Sequence, residues 1–147
     1  MQKNSSLLQK SPLFASMSAE QIASVLHCVG ASVRTFGPGE YILRAGTETR
    51  VMGLLLTGAA LAVQEDLWGE RNIMGKIAPP GTFAEPFAAT PGAVLNVSIV
   101  SHTQSNVMFL DISRLLTVCS ETCPQHALLI RNLVSVLARK NLQLNEK

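Results

Sequence analysis

Between Ala31 and about Leu110 the chain is cut into short aliphatic runs by glycine and proline, and that punctuation limits the fold more than any other feature. The runs SVRTF, EYILRA, VMGLLLT, AALAVQE, RNIMGKIA, LNVSIVS and NVMFLD recur at roughly ten-residue spacing. Turn signals stand between them at Gly37-Pro38-Gly39, Ala45-Gly46-Thr47, Thr57-Gly58 and Pro79-Pro80-Gly81. Such runs are short for helices and too rich in Val, Ile and Leu for loops. Many short strands at this interval predict an antiparallel sandwich, jelly roll or barrel. The segment from Val94 onward reads as an alternating strand.

Helical periodicity is confined to the two ends. Ser18 with Gln21 three residues later is a capping-box pattern, and Met17 and Ile22 stand where a hydrophobic staple pairs. With Ile22, Val25 and Leu26 at helical spacing, the pattern predicts a helix from Ala19 to Cys28. After Asp111, DISRLLTVC reads as a short helix capped by Asp111. Thr122 with Gln125 makes a second capping box, with Pro124 in the first turn, where its missing N–H costs nothing. The helix that follows is expected from about Cys123 to Lys147.

That last helix carries two apolar rows. Ala127, Ile130, Val134, Leu137, Asn141 and Leu144 alternate steps of three and four, a heptad seam with one asparagine at an a-like position. Leu129, Leu133 and Val136 form a neighbouring row able to lie on the β-domain. The first row has no partner within the domain, so it predicts a homodimer through the C-terminal helix. An ordinary amphipathic helix packed once is the alternative.

A length of 147 residues fits one domain. With 47% hydrophobic and 15% charged residues, the composition is that of a folded protein, and its apolar surplus fits a buried subunit contact. The net charge is +2 with the basic residues scattered, which argues against a nucleic-acid surface on this chain. The N-terminal MQKNSSLLQK lacks an apolar core, and the run Val51 to Val63 is too short to span a bilayer and is broken by Gly53 and Thr57-Gly58. No membrane or export role follows. Three cysteines, Cys28, Cys119 and Cys123, make an odd count that suits a reduced cytoplasm.

Several stretches taken together, SPLFASMSAEQIASV, GPGEYILRAGTETRVMGLLLTGAALAV and KIAPPGTFAEPF, followed by a strand, Leu110-Asp111 and a long terminal helix, carry a resemblance. The chain resembles, from about Leu7 to Lys147, the effector domain of the CRP/FNR family of bacterial transcription regulators. The most specific parts are the strand start at Gly39, the Gly46 turn, the hairpin ending at Gly58 and the segment Gly81 to Glu85. The resemblance implies a mainly β fold with flanking helices. Its parts would be an N-terminal helix, a double-stranded β-helix (jelly roll) over about 31–110 enclosing a ligand pocket, and a long dimerisation helix over about 123–147. It also implies a helix-turn-helix DNA-binding domain beyond that helix, so the expectation is a truncated regulator rather than a free-standing sensor.

In cyclic-nucleotide-binding members the resemblance further implies a Gly-Glu pair whose carboxylate takes the ribose hydroxyl. Ten residues beyond stand an arginine and then a hydroxyl residue, both on the phosphate. Here Glu85 matches the glutamate, Ala84 replaces the glycine, Pro86 removes the next amide, Leu95 takes the arginine position and Asn96 the hydroxyl position. Desolvating a permanent anion without a cation costs several kcal/mol, enough to erase micromolar binding, and a neutral hydrogen bond from Asn96 returns only about 1 kcal/mol. The expectation is an effector other than cyclic AMP. Its candidate contacts are Phe83, Ala84, Glu85, Pro86, Leu95, Asn96 and Val97, with Asn141, Leu144 and Asn145 near the pocket from the long helix by approximate alignment. A cyclic-nucleotide site, a pocket filled by its own side chains, and a solvated or backbone-bonded Glu85 are the alternatives.

Other chemistry finds little support. Cys119, Cys123 and His126 are spaced for one helix face, but Pro124 and the cap at Thr122 break that helix and zinc needs a fourth ligand, so no metal is expected. The cysteine cluster of iron–sulfur members is absent from the N-terminus. His27, His102 and His126 are isolated, which disfavours haem. A metal enzyme of the cupin type shares the architecture but needs paired histidines, and no His-x-His, nucleophile elbow, P-loop or dinucleotide motif occurs. The expectation is a non-enzyme.

Overall fold

In the computed structural model the described residues are 8, 10–28, 30–65, 68–88, 90, 92–112 and 124–145. Among the described residues eight strands form two antiparallel sheets: β1 (Ser32–Phe36), β2 (Tyr41–Leu43), β3 (Val51–Thr57), β4 (Ala60–Glu65), β5 (Arg71–Ile77), β6 (Thr82–Phe83), β7 (Ser98–Ser101) and β8 (Ser105–Asp111). One sheet has the order β1-β8-β3-β6 and the other β2-β7-β4-β5. The helices that lie wholly within the described residues include α1 (Ala19–Cys28), a four-residue α2 (Glu85–Ala88) between β6 and β7, and α3 (Pro124–Asn145), with a 3-10 turn at Pro12–Phe14. This is the expected jelly roll with flanking helices.

The apolar run in β3 is explained by two cores meeting at one strand. Gly53 and Leu55 face the space between the sheets, where Leu55 joins Phe36, Ile42, Phe83, Ile99 and Phe109. Met52, Leu54 and Leu56 face the other way, and with Met108 and Leu110 of β8 they pack on Leu13, Phe14, Ile22, Val25 and Leu26. A strand covered on both faces needs apolar residues at successive positions rather than alternation. Gly53 pairs in register with Phe83, and a Cβ built on it would stand 2.1 Å from Phe83 Cζ. The glycine that seemed to break the run is therefore the seat of an aromatic ring.

Both ends fold as their local signals dictate. The Ser18 amide donates to Gln21 Oε1 at 2.9 Å and the Gln21 amide to Ser18 Oγ at 3.2 Å, completing the capping box at the start of α1. Met17 and Ile22 are both buried in the same cluster. On α3 the row Leu129, Leu133 and Val136 is buried at 1%, 3% and 7% exposure, each such side chain contributing about 1.5–3 kcal/mol. That row packs chiefly on the 3-10 turn and α1. Between the buried leucines, Asn132 Nδ2 donates to the carbonyls of Leu13 at 2.9 Å and Ala15 at 3.0 Å, fixing the long helix to the turn.

The stretch from Val94 departs from the expected strand. β7 starts only at Ser98, and Val94 makes an isolated bridge to Glu48. The Leu95 amide donates to the Thr47 carbonyl at 2.9 Å and its carbonyl accepts from Gly46 N–H at 2.8 Å, so this segment is tied to the Gly46 turn instead of a sheet neighbour. Most of the helix expected after Asp111, the Thr122 cap, Cys119, and the side chains of Cys123, His126, Asn141 and Leu144 lie outside the described residues.

Candidate functional site

The segment Thr82 to Ala88 places its side chains through three local constraints. Phe83 is buried on Gly53, Ala84 adopts a left-handed conformation with φ 69°, and Glu85 then opens α2. A left-handed alanine costs about 1–2 kcal/mol, so the packing on either side holds this turn. The turn directs Glu85 inward, where it is fully buried.

The partner of that carboxylate comes from the other end of the chain. Lys140 of α3 donates from Nζ to Glu85 Oε2 at 2.6 Å and to the Thr82 carbonyl at 2.8 Å. The two side chains differ in setting: Glu85 has no exposure while Lys140 is 43% exposed. Glu85 Oε1 is buried with no hydrogen-bond partner among the described residues. Every arginine among the described residues is exposed, and Lys140 is the one described lysine or arginine that is partly buried. Arg44 stacks 4.2 Å from the Tyr41 ring centroid on an exposed surface where Tyr41 also bonds Glu65, so it supplies no cation to the roll. Arg34 is exposed and stacks on Phe36.

The remaining candidates are distributed unevenly. Leu95 is buried at 2% exposure and Asn96 beside it is exposed. Val97 and Ala84 pack partly buried against the cluster between the sheets, which also holds Phe83. On the long helix, Ala127 and Val134 are exposed, with Val134 at 61%, while Ile130 and Leu137 are partly buried against the helical core. Pro86 belongs to α2, and its side chain, like those of Asn141 and Leu144, is not described.

Sequence reasoning missed Lys140 and Asn132. Lys140 is an unremarked polar residue on a helix read for its apolar rows, 55 positions from Glu85. Among the described residues no group of three or more His, Cys, Asp or Glu side chains gathers to hold a metal, and no helix is long and apolar enough to cross a membrane.

Two sheets enclosing an apolar interior, with a carboxylate at the start of a short helix and a long helix laid across it, make a β-roll. No family model and no curated protein matches the sequence. Solved structures match closely in shape. The Catabolite Activator Protein of Thermus thermophilus superposes with a TM-score of 0.77 at 20% identity over 92% of this chain and 60% of that one. The sensor domain of the transcriptional regulator DNR from Pseudomonas aeruginosa gives 0.76 at 18% identity, over 99% and 91% of the two chains. A cyclic nucleotide-binding domain from Methylobacillus flagellatus gives 0.79 at 14% identity, over 97% and 78%. The fold is thus that of CRP/FNR-type effector domains, and the chain spans 60% of the length of the Thermus regulator it matches.

Proposed function

We propose that this chain is the effector-sensing and dimerisation part of a cytoplasmic CRP/FNR-like transcription regulator, without catalytic activity, and that its effector is not a cyclic nucleotide. A DNA-binding domain following α3 is part of the same proposal. The observation that carries it is the state of Glu85. Its carboxylate is bound by Lys140, and the position from which a phosphate-binding cation would come is the buried Leu95.

An anionic sugar phosphate entering this roll would lose its hydration with, among the described residues, no partly buried cation other than Lys140, which is already committed to a carboxylate. That desolvation is of the same order as the roughly 8 kcal/mol a micromolar complex requires. Val134 and Ala127, the exposed members of the heptad row on α3, support a second copy of the chain as the partner of the long helix, since covering them removes apolar surface from water. Signal transfer then consists of an effector altering how α3 seats against the roll, which requires different affinities for the two seatings.

A panel of small molecules tested by thermal unfolding checks this reading. At least one neutral or cationic compound is expected to raise the melting temperature, because a ligand bound only by the folded state stabilises it. A rise produced by cyclic nucleotides alone would refute it. A second reading, a constitutive dimerisation module with no effector, draws on the three phenylalanines Phe36, Phe83 and Phe109 between the sheets, and a panel with no stabilising member would favour it.

A further inference from the structure

The polar atoms that Lys140 Nζ meets among the described residues are acceptors. Glu85 Oε2 and the Thr82 carbonyl take two of its three N–H groups. Glu85 Oε1, on the same buried carboxylate, is left without a donor among the described residues. The site therefore has more acceptor capacity than Lys140 satisfies, and a buried acceptor left unpaired is unfavourable. Chemically this is a receptor for a positively charged group with several N–H donors, and it is the opposite of what a phosphate needs.

The occupant is also exchangeable in a way the receptor is not. Glu85 is held by the Phe83–Ala84 turn and has no exposure, whereas the Lys140 head sits on a flexible four-carbon stem with 43% of its side chain exposed. A groove of about 270 Å³ between α3 and the turn joining β5 to β6 runs alongside that stem, with apolar walls from Pro12, Pro80 and Val136. Arg139 lines the same groove but is exposed, so solvent and salt screen its repulsion of an incoming cation.

We propose that Glu85 and the Thr82 carbonyl form an ammonium-binding site whose resident ligand is Lys140, and that a small primary amine is the effector that displaces this head group. Among the described residues, Lys140 makes the side-chain hydrogen bonds that join α3 to the roll. Exchange of its ammonium for a free one keeps the buried carboxylate neutralised while releasing the long helix from β6 and α2. This is a route from ligand to dimer helix that involves no anion. It deepens the effector reading above and rests on it.

The test uses Lys140→Ala in the 147-residue chain. Propylammonium replaces the atoms removed, tetramethylammonium supplies the same charge without N–H donors, and cyclic AMP is the anionic arm. Lys140→Ala is expected to melt below the wild type and to exchange amide hydrogens in residues 82–88 about tenfold faster. Propylammonium is expected to restore most of the melting temperature and of the protection, and tetramethylammonium neither. Equal effects of the two cations, or a Lys140→Ala chain indistinguishable from wild type, overturns the proposal.

Should Lys140→Ala fail to fold, Lys140→Met keeps the stem, and Glu85→Gln added to it removes the unpaired charge. The double variant is then expected to melt above Lys140→Met, and the reverse order overturns the proposal. Stabilisation of the wild type by cyclic AMP overturns the effector reading beneath it, even with amine rescue intact.

Discussion

Gly53→Ala tests how the roll positions its candidate site. The added Cβ would lie 2.1 Å from Phe83 Cζ and 2.3 Å from its Cε2, against an ordinary carbon contact of about 3.5–4 Å, so the ring must retreat by roughly 1.5 Å. Phe83 is 4% exposed in the cluster that holds Phe109 and Leu55, and it has little room to do so. Overpacking of this kind costs about 1–3 kcal/mol, offset by up to about 1 kcal/mol because alanine is the better strand residue. The net loss of about 1–2 kcal/mol corresponds to about 2–8 °C in melting temperature for a domain of this size. Guanidinium unfolding at constant m-value measures it. Phe83→Leu in the same chain relieves the contact, so the double variant should lose about 1 kcal/mol less than the sum of the singles. A Gly53→Ala chain within about 0.5 kcal/mol of wild type, or strictly additive singles, would refute the ring-on-glycine account.

Three further substitutions probe other parts. Ala84→Gly relieves the left-handed strain at φ 69° at the expense of chain entropy and should stabilise by about 0.5–1 kcal/mol in the same unfolding assay; a loss would contradict the turn described. Asn132→Ala leaves the Leu13 and Ala15 carbonyls without their donor and should cost about 1–3 kcal/mol, read by thermal unfolding. Val134→Glu places a charge on the exposed seam at a position 61% open to solvent. It should convert a dimer to a monomer in sedimentation while changing monomer stability by no more than about 0.5 kcal/mol, and a persistent dimer would exclude this seam.

What could be read from the sequence was set by the range of the interactions involved. The Ser18–Gln21 box and the 19–28 helix are products of contacts within one turn, and the residue types there have no competing use. Leu129, Leu133 and Val136 were legible because helical spacing alone puts them on one face. The stretch from Val94 was misread because its alternation suits a strand, yet its backbone partners belong to the Gly46 turn. Gly53 looked like a breaker because its role lies in a ring 30 positions away. The site was half visible. Glu85 stood out through the family resemblance, but the lysine that neutralises it lies 55 positions away on a helix whose periodicity is set by hydrophobic packing. No local pattern distinguishes a lysine that reaches a buried carboxylate from one that stays in water.

The roll keeps the shape of its structural neighbours, while its buried Glu85 is neutralised by Lys140 and no other lysine or arginine among the described residues is even partly buried to hold an anion. Titration calorimetry of the chain with cyclic AMP tests it directly. The account predicts no heat of binding below about 1 mM ligand, whereas a dissociation constant of about 1 μM, some 4 kcal/mol tighter, would contradict it.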